Sequence, residues 1–226
     1  MNILAVDTAL GACSAAILAD KTVLAHEHRA MLRGHAEALA PMVQALMARA
    51  GIGFPAIDRI AVTTGPGTFT GQRVGLAFAR ALGLALKKPV IGVTTLDVLA
   101  EEALAHYRGA AWAIAAADAK RGEIYLGARS AKDGTAIAPE LIPLGAIAAR
   151  IAAVAERYGP DVVLAGTAAE AVIPLLQAAG LQPEDSLVRQ PDALFVASLA
   201  RDAPEGPPPK PLYLRAPDAK LPAGAP

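Results

Sequence analysis

Hydrophobic and polar positions along the chain form short apolar runs that alternate with longer segments of helical periodicity. The first half predicts strands at 2–7, 12–20 and 22–30, a helix at 34–51, a strand at 59–64, a helix at 70–88, a strand at 90–95 and a helix at 96–107. Lys87 and Lys88 lie in the last turn of the second helix, where they complement the helix dipole, and Pro89 ends it.

The second half repeats much of this order. It predicts a strand at 111–118, a hairpin over 122–142, helices at 144–159, 168–180 and 193–202, and a strand at 161–166 before the middle helix. The dipeptide Asp133-Gly134 is typical of a hairpin turn. Pro41 and Pro174 lie inside two predicted helices, where a proline kinks a helix or marks its boundary.

A short internal repeat is present in the two halves of the sequence. Asp7 ends a predicted strand and Gly11 follows before a hairpin, and Asp118 and Gly122 repeat that arrangement. Both halves then continue with the same order of elements, which predicts an α/β fold built from a duplicated βββαβα unit. This order resembles the superfamily of actin, hexokinase and the heat-shock ATPases, in which paired strand-end aspartates flank a cleft for magnesium and nucleotide.

The predicted division of the chain follows from this duplication. Residues 1–108 form an N-terminal half with the two long helices, 109–203 form a C-terminal half, and 204–226 form a tail rich in Pro and Gly. The apolar cluster Leu212, Tyr213 and Leu214 is expected to dock on the body, and residues after Leu221 are expected to be mobile.

Composition narrows the class of protein. The 226 residues are 54% hydrophobic, and Lys plus Arg equals Asp plus Glu at 21 each, so the chain lacks the basic excess of an independent nucleic-acid binder. The single cysteine, Cys13, excludes an intramolecular disulfide and fits a reducing compartment. The N-terminus lacks the basic start of a signal peptide, and no apolar window is long enough to cross a membrane, so we expect a cytoplasmic protein.

The glycine-rich stretch TTGPGTFTGQR at 63–73 precedes the second long helix. A phosphate-binding P-loop needs a lysine and a hydroxyl residue after its last glycine, but Gln72 and Arg73 occupy those positions. Pro66 has no N–H to donate, and the spacing is not that of a dinucleotide-binding loop. The sequence therefore favours another role for this loop.

Small residues recur every four positions in the following helix, at Gly71, Gly75, Ala79 and Gly83. They share one face, where another backbone can approach closely. That backbone belongs either to this chain's own sheet or to a partner subunit. The helix before it is apolar nearly all round, which favours a partner. The predicted partner interface comprises His35, Leu39, Met42, Val43, Leu46, Gly71, Arg73, Gly75 and Ala79.

Candidate catalytic residues are few. Asp7 and Asp118 either hold magnesium or cap the turns that follow them, and capping is the commoner role. The motif Asp7-Thr8-Ala9 lacks the glycine that an actin-like phosphate loop places after its aspartate. His26 and His28 share a strand face without a third ligand nearby, and His35 has Leu39 where a metal-binding helix would carry its second histidine. No catalytic or metal residue is therefore predicted.

Five blocks of the sequence, in order, resemble the bacterial TsaB (YeaZ) family. They are ILAVDTALGACSAAIL, GHAEALAPMVQALMARAG, TTGPGTFTGQRVGLAFARALGLAL, AAADAKRGEIYLG and KPLYLRAPDAK, and the segment GPGTFTGQRVG is the most diagnostic. The catalytic paralogue of this family, TsaD, carries a metal on a pair of histidines. This chain keeps only His35, because Leu39 occupies the second position.

The resemblance implies an actin-like fold without catalytic activity or a cofactor of its own. Such a protein pairs with the TsaD paralogue through the two long helices, and forms a homodimer when alone. With a TsaE-type P-loop ATPase, the pair places threonylcarbamate on N6 of adenosine 37 in tRNAs that read codons beginning with A. In the complex, ATP or ADP can bind near the subunit interface, and tRNA is bound only through the complex. A stand-alone small-molecule kinase and a glycoprotease-type metallopeptidase are the alternatives.

Overall fold

The computed structural model describes residues 1–215, which form ten strands and six α-helices in two consecutive blocks. The first block contains β1 (Asn2–Asp7), β2 (Ala12–Ala19), β3 (Thr22–Ala30), α1 (His35–Ala50), β4 (Arg59–Thr63), α2 (Phe69–Leu86), β5 (Val90–Val93) and α3 (Thr95–His106). The second contains β6 (Trp112–Lys120), β7 (Glu123–Ser130), β8 (Gly134–Pro143), α4 (Ile147–Tyr158), β9 (Asp161–Ala165), α5 (Ala169–Ala178), β10 (Gln182–Asp185) and α6 (Ala193–Arg201).

Each block builds one five-stranded sheet with the same topology. The first sheet has the order β3-β2-β1-β4-β5 and the second the equivalent order β8-β7-β6-β9-β10. In both sheets the first three strands are antiparallel neighbours and the last two are parallel to the central strand. The predicted duplication is confirmed, and Asp7 and Asp118 lie near the ends of the equivalent central strands β1 and β6.

One strand was missed by the sequence analysis. β10 has the sequence QPED, which shows no alternation of apolar and polar residues. It is an edge strand defined by backbone pairing with β9, from Gln182 opposite Asp161 to Asp185 opposite Leu164. Pro41 and Pro174 both lie inside continuous helices rather than at their boundaries.

The last helix of each block packs on the sheet of the other block. Apolar side chains of α3, such as Leu96 and Leu99, are buried against β6 and β9 of the second sheet. Conversely, Val196 and Ala197 of α6 are buried against β1 and β2. Each sheet is therefore packed against the last helix of the other block, so the two blocks exchange their final helices.

Helices α1 and α2 lie side by side on one face of the first sheet. Their inward side chains share a core with Leu4, Val6 and Ile17, whereas α6 covers the opposite face of the same sheet. Helix α2 begins directly after Thr68, which is its N-cap. The Thr68 hydroxyl accepts a hydrogen bond from the Gly71 N–H at 3.1 Å. In residues 1–215, no helix or strand of this chain covers the outward side of α1 and α2, and only the C-terminal tail contacts part of α2 there.

The C-terminal tail docks on the body up to the last described residue. The Leu212 N–H donates to the carbonyl of Thr64 at 2.8 Å, and the Tyr213 ring stacks on Phe69 with centroids 6.0 Å apart. Arg215 bonds to the carbonyl of Ala119 at 2.7 Å, so the tail connects both halves. Leu212 and Tyr213 of the predicted apolar cluster thus contact the body, and the residues after Leu221 lie outside the described range. Among residues 1–215, every helix is too short or too polar to cross a membrane.

Candidate functional site

The glycine-rich loop before α2 closes on the turn that follows this chain's first strand. The Thr68 N–H donates to the carbonyl of Ala9 at 2.8 Å, and the Thr8 hydroxyl donates to the carbonyl of Gly71 at 2.7 Å. A Cβ atom at Gly67 would stand only 2.4 Å from the Ala9 oxygen. The glycines therefore allow two backbone segments of one chain to touch, and the loop leaves no cradle there for a phosphate.

Asp7 lies beneath this closed loop and is fully buried. Its Oδ1 accepts hydrogen bonds from the Thr63 hydroxyl at 2.5 Å and from the Ala9 N–H at 3.2 Å. Burial raises the pKa of the Asp7 carboxyl to about 7, although the hydrogen bond from Thr63 opposes this effect. Within residues 1–215 its Oδ2 has no hydrogen-bond partner. Asp7 thus caps the turn after β1 from inside the core.

Asp118 occupies the equivalent strand end in a different environment. Its carboxylate accepts from the backbone N–H of Lys120 at 2.7 Å and from its ammonium at 2.5 Å, and these hydrogen bonds lower the pKa of Asp118. It lines a cleft of about 490 Å³ between the halves, together with Gly11, Thr167 and Gln190. Asp7 is fully buried and does not line this cleft, so the two aspartates lie in different environments.

Two of the histidines, His26 and His28, lie near the carboxylate of Asp192. His26 Nε2 lies 2.9 Å from Asp192 Oδ1, and Asp192 lines a cavity of about 370 Å³ together with His28, Glu102 and His106. Among residues 1–215, no group of three or more histidine, cysteine, aspartate or glutamate side chains has the geometry to hold a metal ion. Glu102 was missed by the sequence analysis because its burial arises from long-range packing; burial and the nearby Asp192 raise its pKa to about 8.

The predicted partner interface requires a correction. Seven of its nine residues are buried in this chain's own core, namely Leu39, Met42, Val43, Leu46, Gly71, Gly75 and Ala79. A Cβ atom at Gly71 would lie 2.1 Å from the Thr8 carbonyl oxygen, and one at Gly75 would lie 2.8 Å from the Thr8 hydroxyl oxygen. The close backbone approach that the small residues allow is therefore internal. Only His35, which is half-buried, and Arg73, which is exposed, can reach a partner.

The opposite side of α1 and α2 is exposed, and we call it the outer face. Seven of its sixteen residues are alanine, so a helix of another protein could lie close to it there. The exposed positions of the outer face are Ala36, Glu37, Ala40, Pro41, Gln44, Ala45, Ala48 and Arg49 on α1, and Phe69, Thr70, Arg73, Ala77, Arg80, Ala81, Leu84 and Ala85 on α2. That these two helices form a subunit interface stays a prediction, now through this face.

Known proteins resemble the chain over much of its length. The family model described as "TsaD: tRNA N6-adenosine threonylcarbamoyltransferase" matches residues 25–182. The TsaB protein of Escherichia coli (strain K12), a tRNA threonylcarbamoyladenosine biosynthesis protein, is 42% identical over 125 residues, which are 55% of this chain and 53% of that protein. The chain thus spans about half the length of this curated relative.

Solved structures share the fold. A Pseudomonas aeruginosa protein with similarity to the peptidase YEAZ superposes with a TM-score of 0.77 at 30% identity, covering 95% of this chain and 99% of that one. Component A of the (R)-2-hydroxyglutaryl-CoA dehydratase of Acidaminococcus fermentans gives a TM-score of 0.51 at 15% identity over 88% of this chain and 97% of that one. The second likeness shows the fold alone, and it agrees with the predicted actin-like class.

Proposed function

Because the chain belongs to the TsaB (YeaZ) family, we propose that it is a non-catalytic subunit that binds and supports the catalytic TsaD paralogue. The Escherichia coli relative is named for tRNA threonylcarbamoyladenosine biosynthesis, and we place this chain in the same cytoplasmic process. In it, the complex transfers threonylcarbamate to N6 of adenosine 37 in tRNAs that read codons beginning with A. This chain supplies a binding surface and performs no chemical step.

The outer face is the observation that carries this proposal. It combines two adjacent helices and small exposed side chains such as Ala45 and Ala77, and within residues 1–215 no helix or strand covers it. Small residues allow two helices to approach to the short interaxial distances of a packed bundle. In this protein the glycine-rich loop also packs on the turn after β1, in the place where a phosphate would bind. A protein with such a face and such a loop is suited to binding another protein rather than to turning over a substrate.

The other partners follow from this arrangement. A TsaE-type P-loop ATPase joins the pair, and two copies of this chain associate when the paralogue is missing. Because the chain has no net charge, we propose that tRNA is bound only through the complex. ATP or ADP binds near the subunit interface of the complex rather than to a site of this chain alone.

The two alternative functions have less support. A small-molecule kinase with this fold needs both strand-end aspartates at the cleft, but Asp7 is buried beneath the loop that contains Gly67. A glycoprotease-type metallopeptidase needs a second histidine four residues after His35. That position is Leu39, which points into the core.

The proposal is tested by reconstitution. The chain, the TsaD paralogue and the TsaE-type ATPase of the same organism are purified separately and combined in all pairs and as a mixture of three. We expect a complex of this chain with the paralogue in size-exclusion chromatography with light scattering, and tRNA modification that requires this chain. The chain alone is expected to hydrolyse ATP no faster than a buffer blank. Failure to form the complex, or ATP turnover by the homogeneous chain alone, would contradict the proposal.

A further inference from the structure

A single row of exposed residues runs the full length of α2 on the outer face. Its members follow one another in steps of three and four residues, the spacing with which a helix presents a seam to another helix. The row consists of Thr70, Arg73, Ala77, Arg80, Leu84 and Lys87, and every member is exposed. Lys87 is the residue that ends the helix, with its N–H bonded to the carbonyl groups of the last turn.

The members of this row include three positively charged residues and no acid. No aspartate or glutamate occurs in the sequence between Asp58 and Asp97. In the part of the chain that the structure describes, no carboxylate lies within salt-bridge distance of Arg73, Arg80 or Lys87. The row therefore presents three cations, each separated from the next by about 10.5 Å along the helix axis.

Arg73 is held in place by aromatic rings rather than by an acid. Its Nε donates to the Tyr213 hydroxyl at 3.0 Å, and its guanidinium carbon lies 3.6 Å from the centre of the Phe69 ring. The docked tail therefore fixes the orientation of this cation, while leaving its charge uncompensated. A guanidinium fixed in this way loses little side-chain entropy when a carboxylate binds to it.

At the other end of the row, an apolar side chain lies among the cations. Leu84 is 83% exposed and borders a groove of about 730 Å³ that Arg80, Lys87 and Pro208 also line. The one acid in the described lining of this groove is Glu205, which lies 3.7 Å from Arg59 in an ion pair outside the row. An exposed leucine gains nothing from the phosphates of a nucleic acid, whereas it packs well against an apolar residue of a helix. The combination of Leu84 with flanking cations favours a protein helix over RNA as the occupant.

A second copy of this chain fits the row less well than an acidic helix does, although two copies can still associate. In an isologous pair the same patch meets itself, so the cations of one α2 would face the cations of the other. On α1 the outer face adds Glu37 as an acid, and Arg49 is already paired with Glu27 at 3.5 Å. An excess of positive charge therefore remains on each copy, and like charges across an interface weaken association.

We propose that the occupant of this row is a helix of a different protein that carries aspartate or glutamate side chains about seven residues apart, with an apolar residue placed to contact Leu84. This inference rests on the proposed function, because it specifies the chemistry of the partner surface that meets α2. The charge of the row favours the different protein over a second copy. The affinity of the complex and the affinity of the homodimer should therefore change in opposite directions with salt. Screening weakens the attraction within the complex, whereas it weakens the repulsion within the homodimer.

The test measures both associations for the full chain. Affinity for the TsaD paralogue is measured by isothermal titration at about 50 mM and about 500 mM salt, where screening differs strongly. Self-association is measured at the same two salt concentrations by analytical ultracentrifugation. We expect the dissociation constant with the paralogue to rise about tenfold between low and high salt. Self-association is expected to strengthen over the same interval.

Charge-reversal variants test whether the salt-dependent affinity for the paralogue depends on the row of cations. Arg80→Glu is expected to weaken paralogue binding about tenfold or more at low salt and to lose most of the salt dependence. Arg80→Lys is expected to stay within about threefold of the wild type, because the charge is kept. The control is Arg108→Glu, which reverses an exposed arginine beyond the end of α3 and should leave the affinity unchanged. Circular dichroism of each variant checks that the fold is retained.

The outcomes separate this inference from the proposed function. If no complex forms with wild-type chain at either salt concentration, the proposed function itself fails. If the complex forms but Arg80→Glu binds as tightly as Arg108→Glu, the charge inference is overturned while the proposed function stands. If Arg80→Glu instead lowers the binding of purified tRNA to the isolated chain and leaves paralogue affinity unchanged, the row is an RNA surface and the inference is also overturned.

Discussion

Gly71 lies so close to Thr8 that a Cβ atom on the glycine would stand 2.1 Å from the threonine's carbonyl oxygen. The Thr8 hydroxyl in turn donates to the carbonyl of Gly71 at 2.7 Å. This contact joins the first turn of α2 to the end of β1 and holds the glycine-rich loop closed. Gly71 is thus required for packing within one chain. We therefore expect a partner to bind to the opposite side of the helix, which belongs to the outer face.

Replacement of this glycine should therefore destabilise the isolated chain. Gly71→Ala places a methyl group against backbone atoms that have little room to move, and we expect a loss of about 2 to 4 kcal/mol in the free energy of unfolding. Gly145→Ala is the matched control, since its new Cβ would meet nothing within 4 Å. Urea denaturation measures both. A Gly71→Ala protein as stable as the control would show that the contact is not as close as described.

The buried Asp7 carboxyl should make stability depend on pH. Its pKa is raised to about 7 in the folded chain, chiefly by burial, from an ordinary value near 4 in the unfolded chain. The folded state therefore binds more protons between about pH 4 and pH 7. The free energy of unfolding should fall as pH rises through this window and should level off above it, with a total change of at most about 4 kcal/mol from this group.

Asp7→Asn tests this dependence directly. The amide keeps an oxygen that can accept from Thr63 but cannot ionise, so the part of the slope between about pH 4 and pH 7 that Asp7 causes should disappear. Urea unfolding at several pH values measures the slope. Glu102→Gln should remove a similar contribution that extends to about pH 8, because the pKa of Glu102 is raised to about 8. An unchanged slope in Asp7→Asn would mean that Asp7 stays ionised in the folded state.

The docked tail should contribute to stability through Tyr213. Tyr213→Ala removes the stacking on Phe69 and the hydrogen bond from Arg73, and we expect a loss of about 1 kcal/mol. Lys210→Ala is the control, since this exposed tail residue has no side-chain contact of this kind. Thermal and urea unfolding compare the two variants. Equal stability would show that the tail gains nothing from its contact with α2.

Much of the fold could be predicted from the sequence because its signals are local. The buried strands are short apolar runs, the helices have a period near 3.6, and the strand-end residues Asp7 and Asp118 mark the duplication. The exchange of α3 and α6 between the sheets could not be predicted. It depends on which apolar faces meet after the chain has folded, and the helix sequences do not specify this.

The sequence did not show which side of α1 and α2 faces the chain's own sheet and which side is exposed, and there is a physical reason for this. α1 is apolar nearly all round in sequence, but its outward apolar positions are mainly alanine, such as Ala40 and Ala45. An alanine is small enough to be exposed at little cost, so it does not indicate a second buried face. On α2 small residues lie on both sides, Gly75 inward and Ala81 outward, so residue size alone could not tell which side faces the sheet.

The central claim is that the outer face binds the catalytic paralogue, and Ala77→Trp tests it most directly. Ala77 is exposed in the middle of this face, so the tryptophan should leave the fold intact and obstruct a closely packed partner helix. The matched control is Ala153→Trp, which adds the same side chain at an exposed position of α4. The measurement is the dissociation constant of each purified variant with the TsaD paralogue. We predict a loss of at least about a hundredfold for Ala77→Trp and wild-type affinity for Ala153→Trp. Wild-type affinity in a folded Ala77→Trp protein would contradict the claim.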